Sequence, residues 1–423
     1  MNGPPTPRGL PPAIVMGGLV GAAISVARSL ARHGIEVYLL SPPDSPDRYS
    51  RYIRYIRLSQ TDPLHEAWAT FLLGTASDHL RGAVLMPCSD EGIEIILRHR
   101  DQLSRKFALD VSNPKAQACF LNKLCTYEVA AEAGIPTPRF WRADTAEQVK
   151  AHRDEYAYPL MIKPLYSHKF KPVFNRKFLM VKDFDELCGA CDEVRRHDLE
   201  VVLLEFIPGE DDRLCSYQTY MDESGTPLFD FTKRVIRRQP PGEGMASYHV
   251  TDWNPEVRDL GLRLLTHVGH RGLAHVEFKR DERDGTLKLI ECNARFTGPN
   301  GLLTASGYDV GLLVYNHVVG RPQPSLKGKE YKLGLRFWHP GRDFVAFVDL
   351  RAKGQLSLRS WVASVLHPQV LPIFRWNDPL PSLAMLLRLP HRLADLRGRR
   401  KSMRLTGVSA SLPARTPSRR MRQ

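Results

Sequence analysis

Residues 273–296 read LAHVEFKRDERDGTLKLIECNARF, two apolar-rich runs around a polar turn. Asp284-Gly285 is a strong hairpin signal, and folding about Asp284 sets Glu277 opposite Glu291 and His275 opposite Asn293. Side chains alternate along a strand, so Glu291, Asn293 and Arg295 share a face with Glu277, while Val276, Phe278, Ile290 and Cys292 form an apolar set on the other. Two carboxylates facing each other repel unless a cation lies between them. Magnesium suits the pair, because it takes one or two carboxylates plus phosphate oxygens, and the Asn293 amide adds a neutral oxygen. Without a cation the same residues are solvent-facing polar positions on a half-exposed sheet, so other residues have to decide between the two.

Two lysines do so. Lys163 ends the apolar run YPLMIKP, where a charge is costly unless it meets an anion. Lys123 precedes it in the turn before a helix. Between Lys163 and the hairpin lies VVLLEFIPGEDD, an apolar strand ending at Glu205 and followed by a turn carrying Glu210, Asp211 and Asp212. Point charges with a bridging metal suit a polyphosphate, a backbone edge suits a base, and a carboxylate suits a ribose.

Taken in order, the two lysines, the Glu-x-Ile hinge with acids after it, and then Glu, Glu-x-Asn and Arg resemble the ATP-grasp superfamily. EFKRDERDG, LIECNARF and RQPPGEG after Lys233 bring the resemblance nearest to the carboxylate-amine ligase branch that includes D-aspartate ligase. The resemblance spans residues 12–320. It implies an α/β plus α+β chain, with an N-terminal Rossmann-like pre-ATP-grasp domain (12–113) and a two-subdomain ATP-grasp fold (114–325); beyond it the residues themselves read as a small C-terminal module (326–390) and a basic disordered tail (391–423).

It also implies roles. Lys123 and Lys163 would hold the α- and β-phosphates. Glu205, Phe206 and Ile207 would meet adenine, largely through backbone groups, and Asp211 or Asp212 would bind ribose. Glu277, Glu291 and Asn293 would bind two Mg2+ ions, with Mn2+ as an alternative. Arg295 would stabilise charge on the transferring phosphoryl group, and Lys233 and Arg238 would reach the γ-phosphate or a substrate carboxylate. The implied reaction activates a small-molecule carboxylate as an acyl phosphate and joins it to an amine. The alternatives are a carboxylase acting through carboxyphosphate and a non-catalytic ATP-binding regulatory protein. A homodimer is compatible with the resemblance. Two departures stand out: the lid segment after Lys163 carries no glycine, leaving Ser167, His168 and Lys169 as candidates for phosphate contact, and Cys292 and Ala294 replace an apolar residue and a proline beside the metal ligands.

These residues need elements to position them. AIVM, a glycine turn, a helix to Arg32, IEVYLL, AVLM and a helix from Gly92 to Leu103 predict a parallel α/β unit. Alternating strands and helices with antiparallel hairpins follow as far as Gly320. MGGLVG lacks the first glycine of a dinucleotide fingerprint, and the second strand ends in Leu40-Ser41 rather than an acid, so no dinucleotide site is expected and Gly18 and Gly21 serve close packing. Ser89, Asp90 and Glu91 follow a strand and start a helix. That position suits either a ligand contact or an N-cap with dipole-favoured acids. His249, His267 and His270 are read as structural, and His275 as a neighbour of the metal face.

The chain has 423 residues, 43% hydrophobic and 25% charged, with a formal charge of +14. These proportions exclude collagenous, coiled-coil and wholly disordered chains. Past His391, ten Lys and Arg face Asp395 alone, so the folded part is only mildly basic. The tail is read as a solvated arm, with contact to an anionic surface or nucleic acid as the second reading. RYSRYIRYIR after Ser45 alternates as a surface strand would. The seven cysteines form no disulfide framework or zinc spacing, and Cys188 and Cys191 read as reduced thiols on a helix. The uncharged stretch Gly9–Ala27 reads as a buried strand-turn-helix rather than a leader or span. A cytoplasmic protein is expected.

Overall fold

The computed structural model describes residues 9–58, 64–322, 326 and 328–387, and the tail 391–423 lies outside them. Three sheets organise the chain. The first is β1 (Ala13–Met16), β2 (Val37–Leu40), β3 (Arg54–Tyr55) and β4 (Val84–Pro87), all parallel, in the order β3-β2-β1-β4. AIVM is buried at every position, as expected of a strand covered on both faces. The chain then turns at Gly17-Gly18 into the helix Val20–Arg32. A Cβ at Gly18 would lie 2.7 Å from the Cβ of Ser89, so close packing explains this glycine. No helix among the described residues is long and apolar enough to cross a membrane.

The second sheet contains β5 (Phe140–Arg142), β6 (Leu160–Pro164), β7 (Leu179–Val181) and β8 (Val201–Glu205), in the antiparallel order β5-β8-β6-β7. The helix Ser167–Phe174 connects β6 to β7 and occupies the segment after Lys163 that the sequence marks as the lid.

The third sheet is the largest: β9 (Leu214–Met221), β10 (Phe231–Gln239), β11 (Met245–Asp252), β12 (Gly272–Arg280), β13 (Leu287–Asn293), β14 (Arg336–Trp338) and β15 (Gln369–Val370), in the order β13-β12-β9-β10-β11-β14-β15. Its last two strands come from residues beyond 326, so this segment completes the central sheet rather than standing beside it. The helix Pro255–His267 covers the apolar back of the sheet.

Three expectations need correction. RYSRYIRYIR is not a continuous strand: Pro46–Tyr49 form a 3-10 turn whose Asp47 is buried beside Ser41, and only Arg54–Tyr55 reach the edge of β2. Cys119 and Cys125 are joined by a disulfide, with Cα atoms 5.2 Å apart. The tight Asn122 turn between the helices Pro114–Leu121 and Lys123–Glu132 brings them together. The helix expected over Gly92–Leu103 is instead two, Asp90–Arg98 and Arg100–Ser104, broken at His99. Cys188 and Cys191 are free thiols on the helix Phe184–Arg196.

The helix Pro340–Ala352 is tied to β10 by a buried ion pair. Arg237 donates from Nε and Nη2 to both oxygens of Asp343 (2.8 and 2.9 Å), which also accept from Ser247 and from the indoles of Trp338 and Trp361. Asp343 is wholly buried and Arg237 is 6% exposed. Removing one partner leaves the other charge unpaired in a low-dielectric interior, so Asp343→Ala should cost about 3–5 kcal/mol of stability. Denaturant unfolding measures this, and a loss below about 1 kcal/mol would mean water reaches the site.

Candidate active site

The hairpin β12–β13 carries the acids. Glu277 pairs with Glu291 and His275 with Asn293, as the sequence predicted. The register reaches this pairing in an unexpected way. Near the tip Phe278 pairs with Leu289 and Arg280 with Leu287, and a bulge at Ile290 restores the expected register at the acids. Glu291 is surrounded by Lys123, Lys177 and Lys163. Burial opposes its ionisation, but the three lysines outweigh burial and hold its carboxyl below the ordinary range. Burial and the adjacent Glu291 push the Glu277 carboxyl up. Among the described residues no three His, Cys, Asp or Glu side chains converge as a cation site. The candidate cage is two carboxylates and the Asn293 amide, all oxygen donors that fit magnesium.

Lys163 lies at the end of β6, with its ammonium 3.5 Å from the Tyr127 hydroxyl, which in turn donates to the Ile290 carbonyl (2.8 Å). Burial lowers its pKa to about 8, partly opposed by Glu291. Lys123 opens the helix capped by Asn122 and donates to the Ser167 hydroxyl of the lid (2.8 Å). His168 and Lys169 lie 2.6 and 3.7 Å from Glu94, which joins the lid to the helix Asp90–Arg98 of the first sheet's unit. Of the three lid residues weighed from sequence, Ser167 meets a site lysine and the other two meet Glu94.

The hinge follows β8. The Glu205 carboxylate accepts from the Arg139 backbone (3.1 Å) and pairs with Arg283 (2.7 Å) and Lys288 (3.6 Å). Phe206 comes next, with the Lys279 ammonium 5.5 Å from its ring centre. Ile207 is buried, and its carbonyl accepts from Lys279 (2.8 Å). Asp211 accepts from the Arg238 backbone and guanidinium (both 2.8 Å) and from Gly242 N–H (3.0 Å). Asp212 is exposed. Arg238 is therefore anchored to Asp211 and to the Gly242 carbonyl.

Lys233 is 3% exposed and shares the sheet face of Ser216 and Glu277. Burial lowers its pKa, and Glu277 acts in the opposite direction. His275 and His249 are buried on the same face. His275 has its Nδ1 3.5 Å from Glu277, which makes it the neighbour of the acids that the sequence indicated. Arg295 follows β13 and donates from Nε to Asp90 (2.5 Å). Burial opposes the charge of Asp90, but Arg295 outweighs it and lowers the carboxyl. Ser89 meanwhile caps the helix by accepting from Gly92 N–H (3.1 Å). The N-cap reading of this turn is the one the structure shows, and Asp90 adds an ion pair with Arg295. Tyr127, Lys177 and the partnership of Asp90 with Arg295 were not legible in sequence.

The three-sheet arrangement matches solved structures. Biotin carboxylase from Campylobacter jejuni, in complex with β,γ-ATP, superposes with a TM-score of 0.59 at 14% identity, over 77% of this chain and 74% of that one. N5-carboxyaminoimidazole synthetase from Staphylococcus aureus, complexed with ADP, gives 0.59 at 14% identity, over 77% and 81%. The chain therefore shares the fold of these two enzymes. Among curated proteins, the D-aspartate ligase of Enterococcus faecium is 24% identical over 56% of this chain and 59% of its own length. D-alanine–D-alanine ligase B of Chromobacterium violaceum is 28% identical over 42% and 58%. The chain thus spans less than two thirds of the length of these relatives. No protein-family model matches it.

Proposed function

We propose that the protein is an ATP-dependent carboxylate-amine ligase. The observation that carries this reading is the convergence on one cleft of an opposed Glu277–Glu291 pair with Asn293, two lysines from the lid side, and Arg295 held by an acid of another unit. Sequence similarity to D-aspartate and D-alanine ligases supports it.

In this reading Lys123 and Lys163 bind the phosphates, Glu205, Phe206 and Ile207 line the adenine edge, and Asp212 is the ribose acid, because Asp211 is committed to Arg238. Glu277, Glu291 and Asn293 would hold magnesium, which when bound supplies charge neutralisation at the β- and γ-phosphates. A carboxylate oxygen attacks the γ-phosphorus, the bond to the β-bridging oxygen breaks, and ADP leaves. Arg295 offsets charge on the transferring group, and Lys233 faces the carboxylate. The amine then attacks the acyl carbon, and phosphate leaves with one of the carboxylate's original oxygens. The lid excludes water that would hydrolyse the acyl phosphate.

The first test is incubation with MgATP, hydroxylamine and a panel including D-aspartate and D-alanine. Hydroxamate and ADP are expected in equal amounts with one carboxylate, and both should vanish in Lys163→Ala. ADP formation with bicarbonate alone would favour the carboxyphosphate chemistry instead.

Lys163 also sets a pH dependence. Its ammonium loses a proton near pH 8, and polyphosphate favours the charged form, so MgATP affinity should weaken above pH 8, by up to about tenfold per pH unit. The free protein responds with the opposite sign. Between the folded pKa and the unfolded value of about 10.4 the unfolded chain binds more protons, so Lys163 contributes rising stability across that window. Calorimetric titration from pH 7 to 9.5 checks the affinity, and Lys163→Arg should flatten the profile.

A further inference from the structure

Away from the cleft, the helix Leu380–Leu387 displays a face that no element among the described residues covers. Leu380, Leu383, Leu386 and Leu387 are 55%, 49%, 58% and 78% exposed, and the helix LPSLAMLL carries no charge. Their spacing places them on one side of the helix. Just upstream, Trp376 is 89% exposed. Isolated surface leucines need no explanation, but a contiguous rigid set marks an interaction site.

This set is held rigidly. Asp378, buried at the root of the helix, pairs with Arg28 (2.8 Å), accepts from the Ser50 hydroxyl (2.6 Å) and accepts from the Arg51 backbone (3.0 Å). The helix packs on the turn Pro46–Tyr49, which brings the basic-aromatic run beside the leucines. Arg48 lies 4.7 Å from the Tyr49 ring and Arg51 lies 5.7 Å from the Tyr52 ring. Both arginines keep solvent contact. Directly after Leu387, residues 388–423 contain eleven Lys and Arg against Asp395 alone.

We propose that this corner docks on an anionic lipid bilayer, with the leucines and Trp376 at the acyl boundary and Arg48, Arg51 and the basic tail on the headgroups. The pairing of features decides between polyanions. A nucleic acid would use the cations and leave the leucines in water, whereas a bilayer uses both. Stable attachment needs two signals, and the apolar face and the polybasic segment supply them.

The test sediments the full chain with phosphatidylcholine vesicles and with roughly 3:1 phosphatidylcholine–phosphatidylglycerol vesicles. The anionic vesicles should bind it at least about tenfold more strongly, and about 0.5 M salt should weaken that binding. Leu383→Asp with Leu387→Asp should lower the partition about tenfold or more, with thermal melting unchanged. Because that pair could perturb folding, Arg48→Glu with Arg51→Glu provides a second variant outside the helix with the same expected loss. Tryptophan emission should shift to the blue on anionic vesicles, and the shift should be lost in Trp376→Phe. Equal binding to both vesicles, binding undiminished in the leucine variant, or binding to an RNA oligonucleotide without vesicle binding would each overturn the proposal. So would absent vesicle binding together with loss of thermal stability in the leucine variant, which would mean the chain's own tail covers the face.

Discussion

Replacing Arg295 with alanine is expected to lower turnover about a thousandfold while leaving MgATP affinity within about threefold. The asymmetry follows from its position. Arg295 comes after the acid-bearing strand and is held by Asp90 rather than by either phosphate lysine. Its charge is already fixed before substrate arrives, so it can stabilise charge that develops during transfer without reorganising. Lys123 and Lys163, by contrast, lie on the lid side and should govern binding. Asp90→Asn keeps the shape but removes the counter-charge, so it should cost less, about tenfold, with the loss again in kcat rather than KM. Single-turnover ADP formation separates the two parameters. A loss confined to KM would place Arg295 in ground-state binding and remove it from the transfer step.

Replacing Glu277 with glutamine should act in opposite directions on stability and activity. Burial and Glu291 push the Glu277 carboxyl up, so in the free protein its charge is unfavourable. The sign follows from linkage: a carboxyl whose folded pKa is raised favours folding at low pH and loses that contribution as pH rises through its folded pKa. Glu277→Gln should therefore melt higher than wild type at neutral pH, and the difference should shrink on acidification below the ordinary carboxylate range. Turnover should fall about a thousandfold or more, since metal charge stabilisation is worth several kcal/mol. Magnesium with ATP should raise the melting temperature of the wild type much more than that of the variant. Differential scanning in matched buffers reads all three effects. A variant that melts lower than wild type at neutral pH would show that Glu277 makes a stabilising contact and is not a held-open ligand.

What was legible in sequence followed local rules. Glu277, Glu291 and Asn293 could be paired because strand alternation and a turn signal are local, and the pairing at the acids was correct. Near the turn the pairing is shifted by one residue from the expected register, and the bulge at Ile290 compensates, which no local pattern announces. Lys163 was visible because a charge ending an apolar strand is costly. Tyr127 and Lys177 were not, because each enters the cleft from another element and its sequence neighbours carry no signal of the contact. The same holds for Asp90 and Arg295, 205 positions apart. β11 escaped notice because MASYHVTD has no apolar run, and β14 and β15 because they are three and two residues long. The Cys119–Cys125 disulfide depends on a helix-turn-helix approach that cysteine spacing alone does not define.

The most direct test of the ligase reading follows one oxygen atom. The protein is incubated with MgATP, an amine-bearing D-amino acid and D-aspartate labelled with 18O in its carboxylates, with D-alanine as a second labelled acid and [18O]bicarbonate as a third arm. Acyl-phosphate chemistry carries one labelled oxygen into each phosphate released, at a rate matching ADP formation, and Glu291→Gln abolishes both. Unlabelled phosphate released at the rate of ADP formation would mean that water rather than a carboxylate attacks ATP. Label arriving only from bicarbonate would assign the cleft to carboxylation, and either result would contradict the ligase reading.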